Sequence, residues 1–258
     1  MAGRILVAVD SPEPGTRMLE AAARLAERRR AELVGLYVEE SAFLDLADFP
    51  FSKTLRPGGG AWEPLDPDTM QRAFRARAEE LERLLADLAR RRRVSWRFQA
   101  DRGVPAERLL ASAGESDILV LSRSRGSGGA RTGSTARRAL ARSHGPVMVL
   151  DPALSEPARV TAVYEGDPNV LVAADELARA YDRPLEVLVV ADQGREAEVS
   201  EWLRRHGWPE RVRHCPPGRG VADVLTGRDP GITVVASRDE TELAALVDTV
   251  SGPVMVVR

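Results

Sequence analysis

The pentapeptide Gly-Pro-Val-Met-Val occurs twice in this chain, at Gly145–Val149 and again at Gly252–Val256, and no other feature constrains the fold as much. Two shorter matches precede it in the same order: Arg102-Gly103-Val104 beside Arg219-Gly220-Val221, and Ser122-Arg123 beside Ser237-Arg238. Matches kept in the same order over such a span point to a duplicated structural unit. In the first copy Arg4–Asp10 (RILVAVD), Glu32–Val38 (ELVGLYV), Ser95–Gln99, Asp117–Leu121 and Pro146–Leu150 read as strands. Runs that are apolar throughout, rather than alternating, fit parallel strands covered on both faces. Between them, residues 16–30 place Met18, Ala22, Leu25 and Ala26 on one helical face. A longer helix is expected over 68–92, with Asp68 or Thr69 as its cap and Phe74, Ala78, Leu81, Leu84, Leu85 and Leu88 as its buried stripe. Pro105 suits the start of a helix running to 113.

The second copy is shorter but alternates in the same way. Strands are expected at Val160–Tyr164, Leu185–Ala191, Val212–His214, Ile232–Ala236 and Pro253–Val257. Helices are expected at Val170–Ala180, Glu196–His206, Val221–Thr226 and Glu242–Val250. The units so defined span 1–152 and 158–258. The final strands, 146–150 and 253–257, are expected at sheet edges, where unpaired backbone invites pairing. Their pairing within the chain would give a pseudo-twofold monomer that mimics a dimer, with a further homodimer also open.

The copies differ between these landmarks. Arg123 and Gly145 are 22 positions apart, whereas Arg238 and Gly252 are 14 apart, so the second copy lacks eight residues. They are missing from a glycine-rich loop, Ser122–Gly133, that in the first copy leads into a helix opening at Ser134–Thr135. The first amides of a helix have no partner within it, and the helix dipole and nearby glycines favour a bound anion, typically phosphate. Arg123, Arg125 or Arg131 could pair with such a phosphate bidentately. The alternative is a strand-to-helix turn inherited from a nucleotide-binding ancestor. Residues 40–67, with Pro-Gly-Gly-Gly at 57–60, lack periodicity and read either as a lid or as a mobile insertion. Trp202 and Trp208, flanking His206, read as core packing or as a partner patch.

Composition narrows the function. Of the 258 residues 43% are hydrophobic and 29% charged, as in a globular protein, and no apolar run approaches the roughly 20 residues of a membrane helix. The opening MAGRILVAVD reaches Asp10 too soon for a signal peptide, and the single Cys215 allows no intrachain disulfide, so a cytoplasmic setting is the expectation. The net charge of −2 divides into +4 over residues 1–152 and −6 over 153–258. That asymmetry suits mutual docking or an anionic ligand on the first unit, and neither unit has the charge or aromatic interleaving of a nucleic-acid binder. The only lysine is Lys53, so no Walker lysine exists, and no Gly-x-Ser-x-Gly elbow surrounds Ser134. His144, His206, His214 and Cys215 are not at zinc-site spacing, so no metal site is expected. At most a slow ATPase is compatible with this inventory.

With these residues in view the chain resembles a tandem universal stress protein with a degenerate second unit. Each copy ends in a Pro-Val-hydrophobic strand, and the first opens with Ala8-Val9-Asp10-Ser11 after its first strand. Where nucleotide-binding members of that family carry Gly-x2-Gly-x9-Gly-Ser/Thr, this chain has Arg123-x2-Gly126-x6-Gly133-Ser134. An arginine replaces the first glycine, and the spacer is three residues shorter. The resemblance implies an α/β fold of the adenine nucleotide alpha hydrolase-like kind: two doubly wound parallel five-stranded sheets of order 3-2-1-4-5. It implies that Asp10 faces adenine or ribose, Val38 lines the base, and Gly133, Ser134 and Thr135 contact phosphate, with Gly126 as the middle glycine. Ser122 and Arg123 complete the implied cofactor site. The implied cofactor is ATP or a related adenine nucleotide, with Mg as the accompanying ion. The implied role is a stress-response binding module; the alternative is a nucleotide-free scaffold acting through protein–protein contacts.

Overall fold

The computed structural model describes residues 3–9, 12–40, 53–54, 63–64, 66–126, 129–150, 157–190, 194–216, 220–226, 231–236 and 239–258. In chain order the elements are β1 (Ile5–Ala8), α1 (Pro12–Arg29), β2 (Leu33–Glu40), β3 (Lys53–Thr54), β4 (Glu63–Pro64), α2 (Pro67–Arg92), β5 (Trp96–Gly103), α3 (Pro105–Ser112), β6 (Ile118–Ser122), β7 (Ser124–Gly126), β8 (Gly129–Arg131), α4 (Ser134–Arg142) and β9 (Val147–Leu150). They continue as β10 (Val160–Tyr164), α5 (Pro168–Tyr181), β11 (Leu185–Val190), α6 (Arg195–Arg205), β12 (Val212–Cys215), α7 (Val221–Leu225), β13 (Ile232–Ala236), α8 (Glu240–Thr249) and β14 (Val254–Val257).

Ten of these strands form one sheet, ordered β12-β11-β10-β13-β14-β9-β6-β1-β2-β5. Each half reads 3-2-1-4-5 in its own count and is parallel throughout. The halves meet where β14 pairs antiparallel with β9, Met255 opposite Met148. Those two strands therefore lie at the centre of the sheet, and the outer edges belong to β5 and β12. The boundary expected between residues 152 and 158 lies largely outside the described residues.

Successive residues of a strand face opposite sides of the sheet, and here the sides build separate cores. Ile5 and Val7 pack with residues of α1 and α2, whereas Leu6 packs with residues of α3 and α4. Helices also cross the junction on both faces: α1 packs on α5, and α4 on α8. Trp202 and Trp208 pack against the first of these cores. Trp208 donates its indole N–H to Asp175 at 2.6 Å, and Trp202 stacks on His206 at 4.0 Å, consistent with the packing reading.

Several local expectations change. The long helix begins at Pro67, and its cap is Asp66, whose carboxylate accepts from the Asp68 and Thr69 amides, not Asp68 or Thr69 itself. Proline at the first helical position has no N–H to leave unsatisfied, so the helix can start at Pro67 and the cap falls on the residue before it. β5 extends four residues beyond Gln99, because it pairs with β2 along its whole length, from Leu33↔Trp96 to Glu40↔Gly103. The glycine-rich loop contains a small antiparallel ladder, Ser124↔Arg131 and Gly126↔Gly129. Of the 40–67 insertion, the short β3–β4 pairing is described, and the lid question lies outside the described residues.

The repeated Gly-Pro step has a steric reason. A Cβ on Gly145 would stand 2.7 Å from the backbone oxygens of Glu115 and Asp117, and one on Gly252 only 2.3 Å from that of Gly231. Gly252 also has φ of 130°, which side chains rarely adopt. In both halves, then, glycine lets the chain close on the loop leading into the fourth strand.

Candidate functional site

In the first half the strand order reverses between β1 and β6, and ligands of open α/β sheets bind outside the carboxyl ends of strands at that point. A cavity of about 320 Å³ opens there. Its walls come from the ends of β1 and β2 (Ala8, Val9, Leu36, Val38), from Leu109 on α3, and from Ser122 at the end of β6. Another wall is the N-terminus of α4, with Gly133, Ser134, Thr135 and Ala136, and Phe74 of α2 also lines it. The volume falls within the range of small-molecule sites, about 300–1,000 Å³.

α4 starts behind Gly133, which is extended (φ −66°, ψ 166°) and offers no side-chain cap. The first backbone bond of the helix is that from the Arg137 amide to the Gly133 carbonyl, 2.9 Å. The amides of Ser134, Thr135 and Ala136 precede it, so the helix supplies them no partner. Unlike most helices, α4 has no acidic residue in its first turn. This end thus presents amide donors and two hydroxyls, beside walls of apolar side chains. Such a donor set fits the phosphate end of a nucleotide, and the apolar walls fit a base.

The residues proposed from sequence divide into three groups. Val38, Ser122, Gly133, Ser134 and Thr135 come together around the cavity. Asp10 lies outside the described residues. Gly126 is in β7, paired with Gly129, and its place relative to the cavity, like the side chains of Arg125 and Arg131, lies outside what is described.

Arg123 is the correction. Expected to meet phosphate, its guanidinium instead runs to the second half and is only 5% exposed. Nη2 donates to the carbonyls of Val250 at 2.8 Å and Gly252 at 2.7 Å. Val250 is the C-cap of α8, so the cation sits at the negative end of a helix dipole and answers the cap carbonyl together with that of Gly252 in the turn beyond it.

A second link joins the loop to α8. Thr132, buried just before Gly133, donates to Asp248 Oδ1 from both its amide (2.7 Å) and its hydroxyl (2.6 Å). Arg137 donates from Nε to the Thr132 carbonyl at 3.1 Å and from Nη2 to Asp248 Oδ2 at 3.2 Å. Burial pushes the Asp248 carboxyl up, but the Thr132 hydrogen bonds and the charges of Arg137 and Arg123 outweigh it and hold it below the usual carboxylate range. Sequence reading missed Asp248, which lies 116 positions from Thr132. It missed Tyr37, Glu40 and Leu109 as wall residues too. Only the β2 and α3 periodicities could have hinted at those, and nothing local marks Asp248.

Among the described residues no helix is long and apolar enough to cross a membrane, and no group of three or more His, Cys, Asp or Glu is gathered as a metal site requires.

Fold and site together define a doubly wound α/β protein with a crevice at the switch point of one half. A model of the universal stress protein family matches residues 1–151, and the chain belongs to that family. Among solved structures it is similar to a universal stress protein from Archaeoglobus fulgidus DSM 4304, with TM-score 0.70 and 15% identity over 100% of this chain and 99% of that one. A functionally unknown protein from Pseudomonas aeruginosa PAO1 is similar at TM-score 0.58 and 13% identity, covering 98% and 92%. The cytoplasmic domain of a prokaryotic cation chloride cotransporter is similar at TM-score 0.52 and 10% identity, covering 99% and 95%. These likenesses concern the fold. No curated protein matches the chain.

Proposed function

We propose that the crevice of the first unit binds ATP or a related adenine nucleotide, and that the protein is a nucleotide-responsive stress module of the cytoplasm. One observation carries this reading: the uncapped N-terminus of α4 opens into a cavity whose other walls are mostly apolar, with Ser122, Tyr37 and Glu40 as the polar exceptions. The phosphates would take the amides and hydroxyls of Ser134 and Thr135, and the base would lie against Val38, with Leu109 opposite. Any Mg would be carried by the phosphates, since Glu40 is the one carboxylate among the described lining residues.

A nucleotide-free scaffold is the second reading, favoured by the use of Arg123 on the second half rather than in the crevice. The two are separated by mass spectrometry of denatured protein purified directly from cells, followed by calorimetric titration with ATP, ADP and AMP. Co-purifying adenine nucleotide, or measurable heat that disappears in Gly133→Asp, is the expected result. No nucleotide and no heat at millimolar ligand would leave the scaffold.

A further inference from the structure

The loop that leads into the candidate site is fastened to the other half of the molecule at both ends. At its start Arg123 holds the carbonyls of Val250 and Gly252; at its finish Thr132 is held by Asp248. All three partners belong to α8 or to the turn after it. The finish matters more, because Thr132 is joined directly to Gly133, the residue from which α4 departs. Arg137 grips both the Thr132 carbonyl and Asp248, so one carboxylate fixes the loop end and the first turn of the helix together.

We propose that Asp248 is a positioning residue for the ligand site in the other half: it aims the Gly133–Ala136 amides at the cavity through Thr132 and Arg137. The inference rests on the nucleotide reading for its ligand, though not for its geometry. The second half, whose own loop is eight residues shorter, thereby becomes part of the first half's site without touching the ligand. Coupling carried by packed and hydrogen-bonded neighbours of this kind typically changes an equilibrium by about two- to thirtyfold.

The test uses the full-length chain and the variants Asp248→Ala and Asp248→Asn. Hydrogen exchange is followed without ligand at the Arg137 amide, whose bond to the Gly133 carbonyl closes the first turn of α4, with the amides of β10 and β11 as internal controls. ATP and adenosine are then titrated separately. In Asp248→Ala, exchange at the Arg137 amide should accelerate about tenfold while the controls stay unchanged. ATP affinity should fall about tenfold and adenosine affinity by less than about twofold, because only the phosphate end has lost its aim. Asp248→Asn keeps an oxygen for the Thr132 amide and should lie between; it also serves if the alanine variant does not fold. Unchanged exchange at the Arg137 amide, or equal weakening of ATP and adenosine, would overturn the proposal. If the wild-type chain binds no ATP, the nucleotide reading falls by itself, and the exchange result still decides the role of Asp248.

Discussion

Two helices occupy matching places in the two halves and begin differently. α4 follows Gly133, which has no side chain to fold back, whereas α8 follows Asp239, whose carboxylate accepts from the Thr241 amide at 2.9 Å. In the second half a carboxylate from the chain itself stands where a ligand's anionic group would stand in the first. The same contrast holds at the strand ends. The register Ile5↔Ile118 and Val160↔Ile232 makes Val9 the counterpart of Tyr164, so a small cavity-lining residue is matched by a buried phenol hydrogen-bonded to Glu198 at 2.8 Å. Lower down, Arg4 and Arg159 correspond, but only Arg4 has an aspartate across from it: Asp117 corresponds to Gly231. A duplicated scaffold can therefore keep its sheet while one copy caps the helix after its fourth strand internally and the other leaves that helix end facing a cavity.

The largest expected effect tests what the copies share. Gly252→Ala should destabilise the protein by about 3 kcal/mol, since it combines a disfavoured φ with a backbone clash. Gly145→Ala, with the clash alone, should cost less; urea denaturation of both measures the difference, and an equal cost would break the distinction. Next, Gly133→Asp transplants the second half's cap into the first. It should weaken ATP binding about 100-fold by removing and repelling at the phosphate end, while leaving stability the same or about 0.3 kcal/mol higher. Undiminished binding by calorimetry would show that the helix end is not where phosphate sits.

Asp117→Asn addresses the ion pair that only the first half has. Asp117 is buried and accepts from the Arg4 amide at 2.7 Å, from Arg4 Nη2 at 2.6 Å and from the Gly114 amide at 2.8 Å. Burial raises its carboxyl, and these bonds with the Arg4 charge more than reverse that, holding it below its usual range. Because the folded value is the lower one, the stabilisation is present above about pH 4 and lost as pH falls towards the folded value. The variant should lose about 2 kcal/mol at pH 7, and its gap from wild type should shrink at pH 3. A gap independent of pH would count against the ionic account.

The smallest effect belongs to Tyr164→Phe, which should cost about 1 kcal/mol. Burial, then the hydrogen bond to Glu198, push the phenol up to about 12 from an ordinary 10.0. A raised folded value means that its contribution is complete below pH 10 and is lost as pH rises towards 12. Alkaline denaturation should therefore begin later in the variant, relative to its own neutral stability, than in wild type.

Much of this protein is legible in the order of its residues. The continuous apolar runs of Ile5–Ala8, Ile118–Ser122 and Ile232–Ala236 mark parallel strands, because both faces of each must be buried. The doubled Gly-Pro-Val-Met-Val announces the duplication, and the eight missing residues show which copy lost its loop. Even the cavity wall at Gly133, Ser134 and Thr135 follows from where helical periodicity begins. What sequence could not place was Arg123: its charge reads the same whether it meets a phosphate or a helix end. That choice depended on α8 ending within reach of its side chain. Asp248 was hidden for the same reason, since nothing near it in the chain hints at Thr132. Local pattern determines elements and faces because those depend on neighbours a few residues apart. Which charges answer one another across the junction was decided only when β9 and β14 paired and brought α8 against the loop of the other half.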